Sequence, residues 1–278
     1  MESIPFGIAR LDRTLDGGAP PGSVVLLAGE SGAGAREFLQ TSAVMNVLSR
    51  ADPERFDLYY GELPEEARRP SAVHYVSITA SRPAIERELR FTMTDEIVDP
   101  AVEELVFRDL APEYFQPSPI PREWYLGRTT RITDLGEKKN RDTVFGSIGE
   151  YLSEHAEGTL VVVDSLTDLV GAMGNEIEWN DVAMLMRGLN RAAYQWGGLI
   201  LVLVNVETLT EVQFGQLMDA ASGTFVFSWA SGGSQRDRVM VVREFRGVLS
   251  RLEEEGIFQF ETEIHDGGFD ISGVRKIR

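Results

Sequence analysis

The chain has 278 residues, with 44 Asp and Glu against 27 Lys and Arg, for a formal net charge of −17. The lack of cysteine excludes disulfides, Cys-ligated zinc and thiol catalysis, and apolar runs such as Leu199 to Val204 are strand-length, far short of a membrane span. Met1 to Pro5 has neither the basic start nor the apolar run of a signal peptide, so a soluble cytoplasmic protein without membrane insertion is expected.

Short apolar runs alternate with helical patterns, which predicts a parallel sheet with crossover helices. In chain order the pattern predicts strand Ser23–Ala28, helix Arg36–Leu48, strand Val73–Ile78, helix Ala84–Phe91 and strand Glu104–Asp109. Helix Asp142–His155, strand Thr159–Asp164, helix Asp181–Tyr194, strand Leu199–Val204, helix Thr210–Ala221 and strand Thr224–Trp229 follow. Two further extended runs, Arg238–Phe245 and Ile257–Thr262, flank a Gly247-to-Gly256 connection and predict an antiparallel end to the sheet. The expected fold class is α/β, an open sandwich with a mostly parallel central sheet flanked by helices and antiparallel C-terminal strands, with the chain 1–278 as one domain.

Two insertions interrupt the rhythm, at 52–71 and 111–136. The first is acidic and proline-bearing. The second holds Pro112, Pro117, Pro119 and Pro121 with Tyr114, Phe115, Trp124 and Tyr125, a composition that suits either a cover for the protein's own core or a partner surface.

Candidate chemistry centres on Gly29-Glu30-Ser31-Gly32-Ala33-Gly34-Ala35-Arg36, which follows the apolar run Val24 to Ala28 and opens a helix. The G-x-x-x-x-G spacing is that of a phosphate-binding loop, after which Lys and Ser/Thr are expected. The backbone N–H groups of such a loop cradle phosphates, while Lys neutralises their charge and the hydroxyl holds Mg²⁺. Ala35 and Arg36 stand at those two places, so the cradle is kept without its charge and metal ligand. Asp164, an acid after four apolar residues at the carboxyl end of a strand, suits a metal-facing carboxylate. Asn205, Glu207 and Thr208 follow the next strand, as a polar sensor or a plain turn. His74, His155 and His265 are scattered without metal spacing.

Four motifs in register resemble the RecA superfamily, particularly archaeal KaiC-like and RadA-like ATPases: the opening segment Ile4 to Ser23, the loop itself, the Walker B-like run Leu160 to Leu166, and Val241 to Gly247, similar to a K-x-R-G signature. The resemblance implies ATP or ADP with Mg²⁺ as the cofactor, Asp164 as the residue that would orient the metal's water shell, and Glu244 and Arg246 as a subunit-interface pair. It also implies what is missing. The phosphate Lys corresponds to Ala35, the Mg²⁺ hydroxyl to Arg36, a water-polarising glutamate pair to Thr79 and Ala80, and the signature Lys to Glu244.

Phosphoryl transfer rests on positioning and charge stabilisation, and removing one preorganised donor costs about 10²–10³ in rate. The expectation is therefore a degenerate Walker A site in a non-catalytic or weakly catalytic regulatory or scaffold protein, working through protein partners or self-association. A second reading keeps an ATP-binding switch, with Arg36 reaching back onto the phosphates. A third is a RadA-like DNA recombination accessory protein, using the cationic cluster Arg122, Arg128, Arg131, Lys138, Lys139 and Arg141, although the overall acidity argues against DNA. The acidic balance, with Lys138, Lys139 and Lys276 the only lysines, points to a salt-rich archaeal cytosol or else to an ordinary acidic protein of a GC-rich genome.

Overall fold

The computed structural model describes residues 2–126, 144–171, 178–230, 237–248, 252 and 257–276. Helix α1 (Ala9–Thr14) leads into strand β1 (Ser23–Gly29), then α2 (Ala35–Ala51), α3 (Pro53–Tyr59), β2 (Val73–Ser77), α4 (Arg82–Thr92), α5 (Asp95–Glu104), β3 (Val106–Asp109) and α6 (Ala111–Phe115). The chain continues through α7 (Val144–His155), β4 (Leu160–Asp164), α8 (Leu166–Gly171), α9 (Trp179–Trp196), β5 (Leu199–Asn205) and α10 (Glu211–Ala220) to β6 (Gly223–Trp229). Strands β7 (Arg238–Phe245), β8 (Ile257–His265) and β9 (Gly268–Lys276) close it.

Among the described residues one sheet runs in the order β3-β2-β4-β5-β1-β6-β7-β8-β9. The pairings from β3 to β6 are parallel, and those from β6 to β9 antiparallel. Because successive side chains point to opposite faces, Val25 and Leu27 of β1 join one core with α2, while Val24, Leu26 and Ala28 join the other with α7, α9 and α10. Both faces are covered, which is why the parallel strands read as continuous apolar runs. Phe38 of α2 anchors the first core, its ring 5.2–6.0 Å from those of Phe6, Phe225, Phe227 and Phe269.

Three differences from the sequence expectation have local causes. Glu104 ends a helix and the strand begins at Val106. That helix, α5, is illegible in sequence because Pro100 lies inside it; the Glu96 carbonyl that Pro100 cannot engage accepts a hydrogen bond from the Arg55 guanidinium at 3.0 Å. The 52–71 stretch begins as α3, N-capped by the Asp52 carboxylate, with Phe56 and Tyr60 stacked at 4.5 Å and buried. The antiparallel end extends beyond Thr262 to His265 and adds β9, whose Gly268 and Gly273 break the strand pattern.

Of the 111–136 stretch, 111–126 are described: Phe115 rests against Tyr114 and Tyr125, and Trp124 is exposed. Residues 127–136, the start of the predicted Asp142–His155 helix at 142–143, and most of the Gly247-to-Gly256 connection lie outside the described residues. So do Arg128, Arg131, Lys138, Lys139 and Arg141.

Candidate functional site

Strands β1, β2, β4, β5 and β6 end together, and their carboxyl ends deliver Gly29, Ser77, Asp164, Asn205 and Trp229 to one edge of the sheet. Ligand crevices of open α/β sheets form at this edge. Here a cavity of about 350 Å³ is lined by the loop from Gly29 to Glu37, except Ala33, together with Ser165, Thr167, Asp168 and the end of β5.

The loop is tight. A Cβ on Gly29 would lie 2.6 Å from that of Ala35, and Gly34 has φ +106° with Phe269 packed beneath it. Ala33 N–H donates to the Glu30 carbonyl at 3.0 Å, closing the turn. The N-cap of α2 is Gly34, which brings no side-chain cap, so the positive end of a 17-residue helix faces the cavity.

Arg36, on the first turn of α2, points across the cavity mouth to Asp164, with Nη1 donating to Oδ2 at 2.7 Å. The same oxygen accepts the Tyr75 hydroxyl at 2.6 Å. Asp164 has a side chain only 2 % exposed against 44 % for Arg36, so the pair is buried on the acid's side. Burial pushes the Asp164 carboxyl above its ordinary range, while Arg36 and the Tyr75 hydrogen bond hold it back. Burial also raises the Tyr75 phenol, further raised by Asp164, so it remains a neutral donor. For Arg36, burial opposes the charge, and Asp164 with Tyr75, Glu88 and Asp168 outweighs it. Glu88 on α4 lies 3.9 Å from Arg36 and accepts from Gln40 at 3.2 Å.

At the other side of the loop, Ser31 N–H and hydroxyl both donate to the Glu207 carboxylate, at 3.1 and 2.5 Å, and Asn205 Nδ2 donates to Ser31 Oγ at 3.1 Å. The outer flank is held by Trp229 Nε1 on the Ser31 carbonyl at 3.2 Å and Arg238 Nε on the Gly32 carbonyl at 2.9 Å, with the guanidinium 4.9 Å from the indole centroid.

Mg²⁺ requires near-octahedral oxygen ligands. Arg36 carries only donors, and its guanidinium is already hydrogen-bonded to the Asp164 oxygen that Tyr75 shares; this donor set does not fit the metal. Thr79 and Ala80 follow β2 at the same edge and bring no carboxylate there. Asn205 and Glu207, predicted as sensor or turn, contact the loop, whereas Thr208 hydroxyl donates to the Asn205 carbonyl. Glu244 and Arg246 are not brought to this cleft. Glu244 pairs with Thr224 near the start of β6, and Arg246 Nη2 donates to the Asp219 carbonyl at 3.3 Å, at the opposite end of the sheet from Trp229 and Arg238.

The histidines are less scattered than their spacing suggests. His74 and His155 stack at 5.7 Å, and His74 Nδ1 lies 2.7 Å from the Tyr151 hydroxyl. Among the described residues no group of three His, Asp or Glu could hold a metal ion. Sequence reasoning missed Tyr75, Glu88, Trp229 and Arg238; the signal for the first was a tyrosine inside a buried strand, whose hydroxyl must find a partner.

A mostly parallel sheet flanked by helices, closed by antiparallel C-terminal strands and carrying a glycine-rich loop between β1 and α2, defines a RecA-like α/β fold. The solved structure of a KaiC-like protein from the hyperthermophilic archaeon Pyrococcus horikoshii shares it, with a TM-score of 0.64 over 98 % of this chain and 99 % of that one, at 17 % sequence identity. No protein-family model matches the chain, and no curated protein matches it. No helix among the described residues is long and apolar enough to cross a membrane.

Proposed function

We propose that this chain is a non-catalytic or weakly catalytic regulatory or scaffold protein of the KaiC-like kind, a single domain with a degenerate nucleotide-binding site. The observation that carries the reading is the Arg36–Asp164–Tyr75 arrangement, in which a guanidinium stands where a Mg²⁺-holding hydroxyl is expected and engages the carboxylate that would orient the metal. A Lys-less loop and the lack of carboxylates at Thr79 and Ala80 support it further. Its work is then done through protein partners or self-association, in a cytoplasm that its acidity suits to high salt. ATP or ADP binding without turnover is the second reading, favoured by the open cavity of about 350 Å³ and by the 44 % exposure of Arg36, which leaves part of the guanidinium free to face a phosphate.

The experiment is ATP hydrolysis by purified protein with Mg²⁺ in concentrated KCl, beside the repaired double variant Ala35→Lys, Arg36→Thr. Wild type is expected at background. The repaired loop should bind ATP–Mg²⁺ more tightly yet hydrolyse poorly, since no water-polarising carboxylate is restored. A wild-type turnover above about 1 s⁻¹ that Asp164→Ala abolishes would sink the proposal.

A further inference from the structure

The amide of Ser31 already has an anion. Glycine-rich loops of this geometry aim backbone N–H groups at negative charge, and in this chain the Glu207 carboxylate accepts both the Ser31 amide and its hydroxyl, at 3.1 and 2.5 Å. Pairing of Gly29 with Asn205 at the ends of β1 and β5 brings the two segments together, although 176 residues separate Ser31 from Glu207.

The contact is built rather than casual. Asn205 Oδ1 accepts the Glu207 N–H at 2.9 Å, and its Nδ2 donates to Ser31 Oγ, so amide, hydroxyl and carboxylate close a small hydrogen-bonded ring. The two Ser31 donors lower the Glu207 carboxyl from its ordinary range, which leaves it charged at neutral pH. Trp229 and Arg238 hold the same loop segment by its carbonyls from the outside. With Arg36 on Asp164 as an internal cation and Glu207 on Ser31 as an internal anion, the cleft satisfies charges of both signs from its own side chains.

Resting on the reading of this cleft as a former nucleotide site, we propose that Glu207 is the residue that decides whether a polyphosphate enters: its carboxylate holds the loop amide in place of a phosphate and repels a second anion. The contact lies at the surface, with Ser31 and Glu207 both exposed, so it excludes by charge and occupancy rather than by steric closure. It also acts without metal, which separates it from the loss of Mg²⁺ chemistry at Arg36.

The test is calorimetric titration with ATP in excess EDTA, and with inorganic tripolyphosphate, of wild type, Glu207→Ala and Glu207→Gln. Glu207→Ala is expected to bind both at least tenfold more tightly than wild type. Glu207→Gln, which removes the charge but keeps an acceptor, should fall between them, and it stands in should the alanine variant fold poorly by circular dichroism. Equal affinity in wild type and variants, whether measurable or nil, overturns the gate. That result is distinct from failure of the regulator reading, which would appear as wild-type hydrolysis of ATP–Mg²⁺.

Discussion

Replacing Arg36 by Met keeps the aliphatic stem of the side chain and leaves the Asp164 carboxylate with Tyr75 as its one remaining side-chain partner among the described residues. Breaking a fully buried ion pair from one side costs about 3–5 kcal/mol. Arg36 is 44 % exposed, so solvent already screens part of that interaction and the loss should be about 2 kcal/mol. For a chain of this size that lowers Tm by about 4–8 °C. Asp164→Asn should cost less than about 1 kcal/mol, because the amide still accepts the Tyr75 hydroxyl and the freed guanidinium has water and Glu88 within 3.9 Å. The pH dependence distinguishes the mechanism. Burial raises the folded-state carboxyl above the unfolded value, and Arg36→Met raises it further by removing the countercharge. A carboxyl raised on folding holds a proton that the unfolded chain releases, so its contribution is intact at low pH and is lost as pH rises through the folded value. The deficit of Arg36→Met relative to wild type should therefore grow in thermal melts as pH rises past the wild-type folded value of Asp164 towards the higher one of the variant. A deficit that is flat with pH, or no larger than that of Asp164→Asn, would refute the account of the pair.

Two further outcomes are expected. Asp12 is buried, which raises its carboxyl to about 7 against the hydrogen bonds of Phe6 N–H, the Tyr60 hydroxyl and Gly7 N–H. Its contribution to stability thus falls as pH rises from about 4 towards 7, and Tyr60→Phe, which deletes a donor to the ionised form at 2.9 Å, should cost about 1–2 kcal/mol, more at pH 8 than at pH 6 in denaturant titrations. With a net charge of −17, Tm should climb between low salt, where the Debye length is about 30 Å at 0.01 M, and multimolar KCl; a flat profile would remove the high-salt reading of the acidity.

The local sequence determined the central strands. Runs such as Val24 to Ala28, Leu160 to Val163 and Leu199 to Val204 are apolar on both faces because both faces are covered, and strong continuous patterns of that kind override neighbouring context. The glycine spacing from Gly29 to Gly34 likewise fixed a tight strand-to-helix turn, since Gly29 has no room for a Cβ beside Ala35. Elements with mixed signals were lost: Pro100 hid α5, and the glycines of β9 hid an edge strand. Where the charges of the cleft go is set by the folded chain alone. Arg36 read alone is a substituted loop residue and Glu207 a turn acid; their partners Asp164 and Ser31 stand 128 and 176 positions away, and parallel pairing of β1 with β5 and of β5 with β4 is what sets them side by side. Period and propensity act over a few residues, whereas the compensation of a buried carboxylate or an unpaired amide is settled by whichever side chain the sheet order delivers.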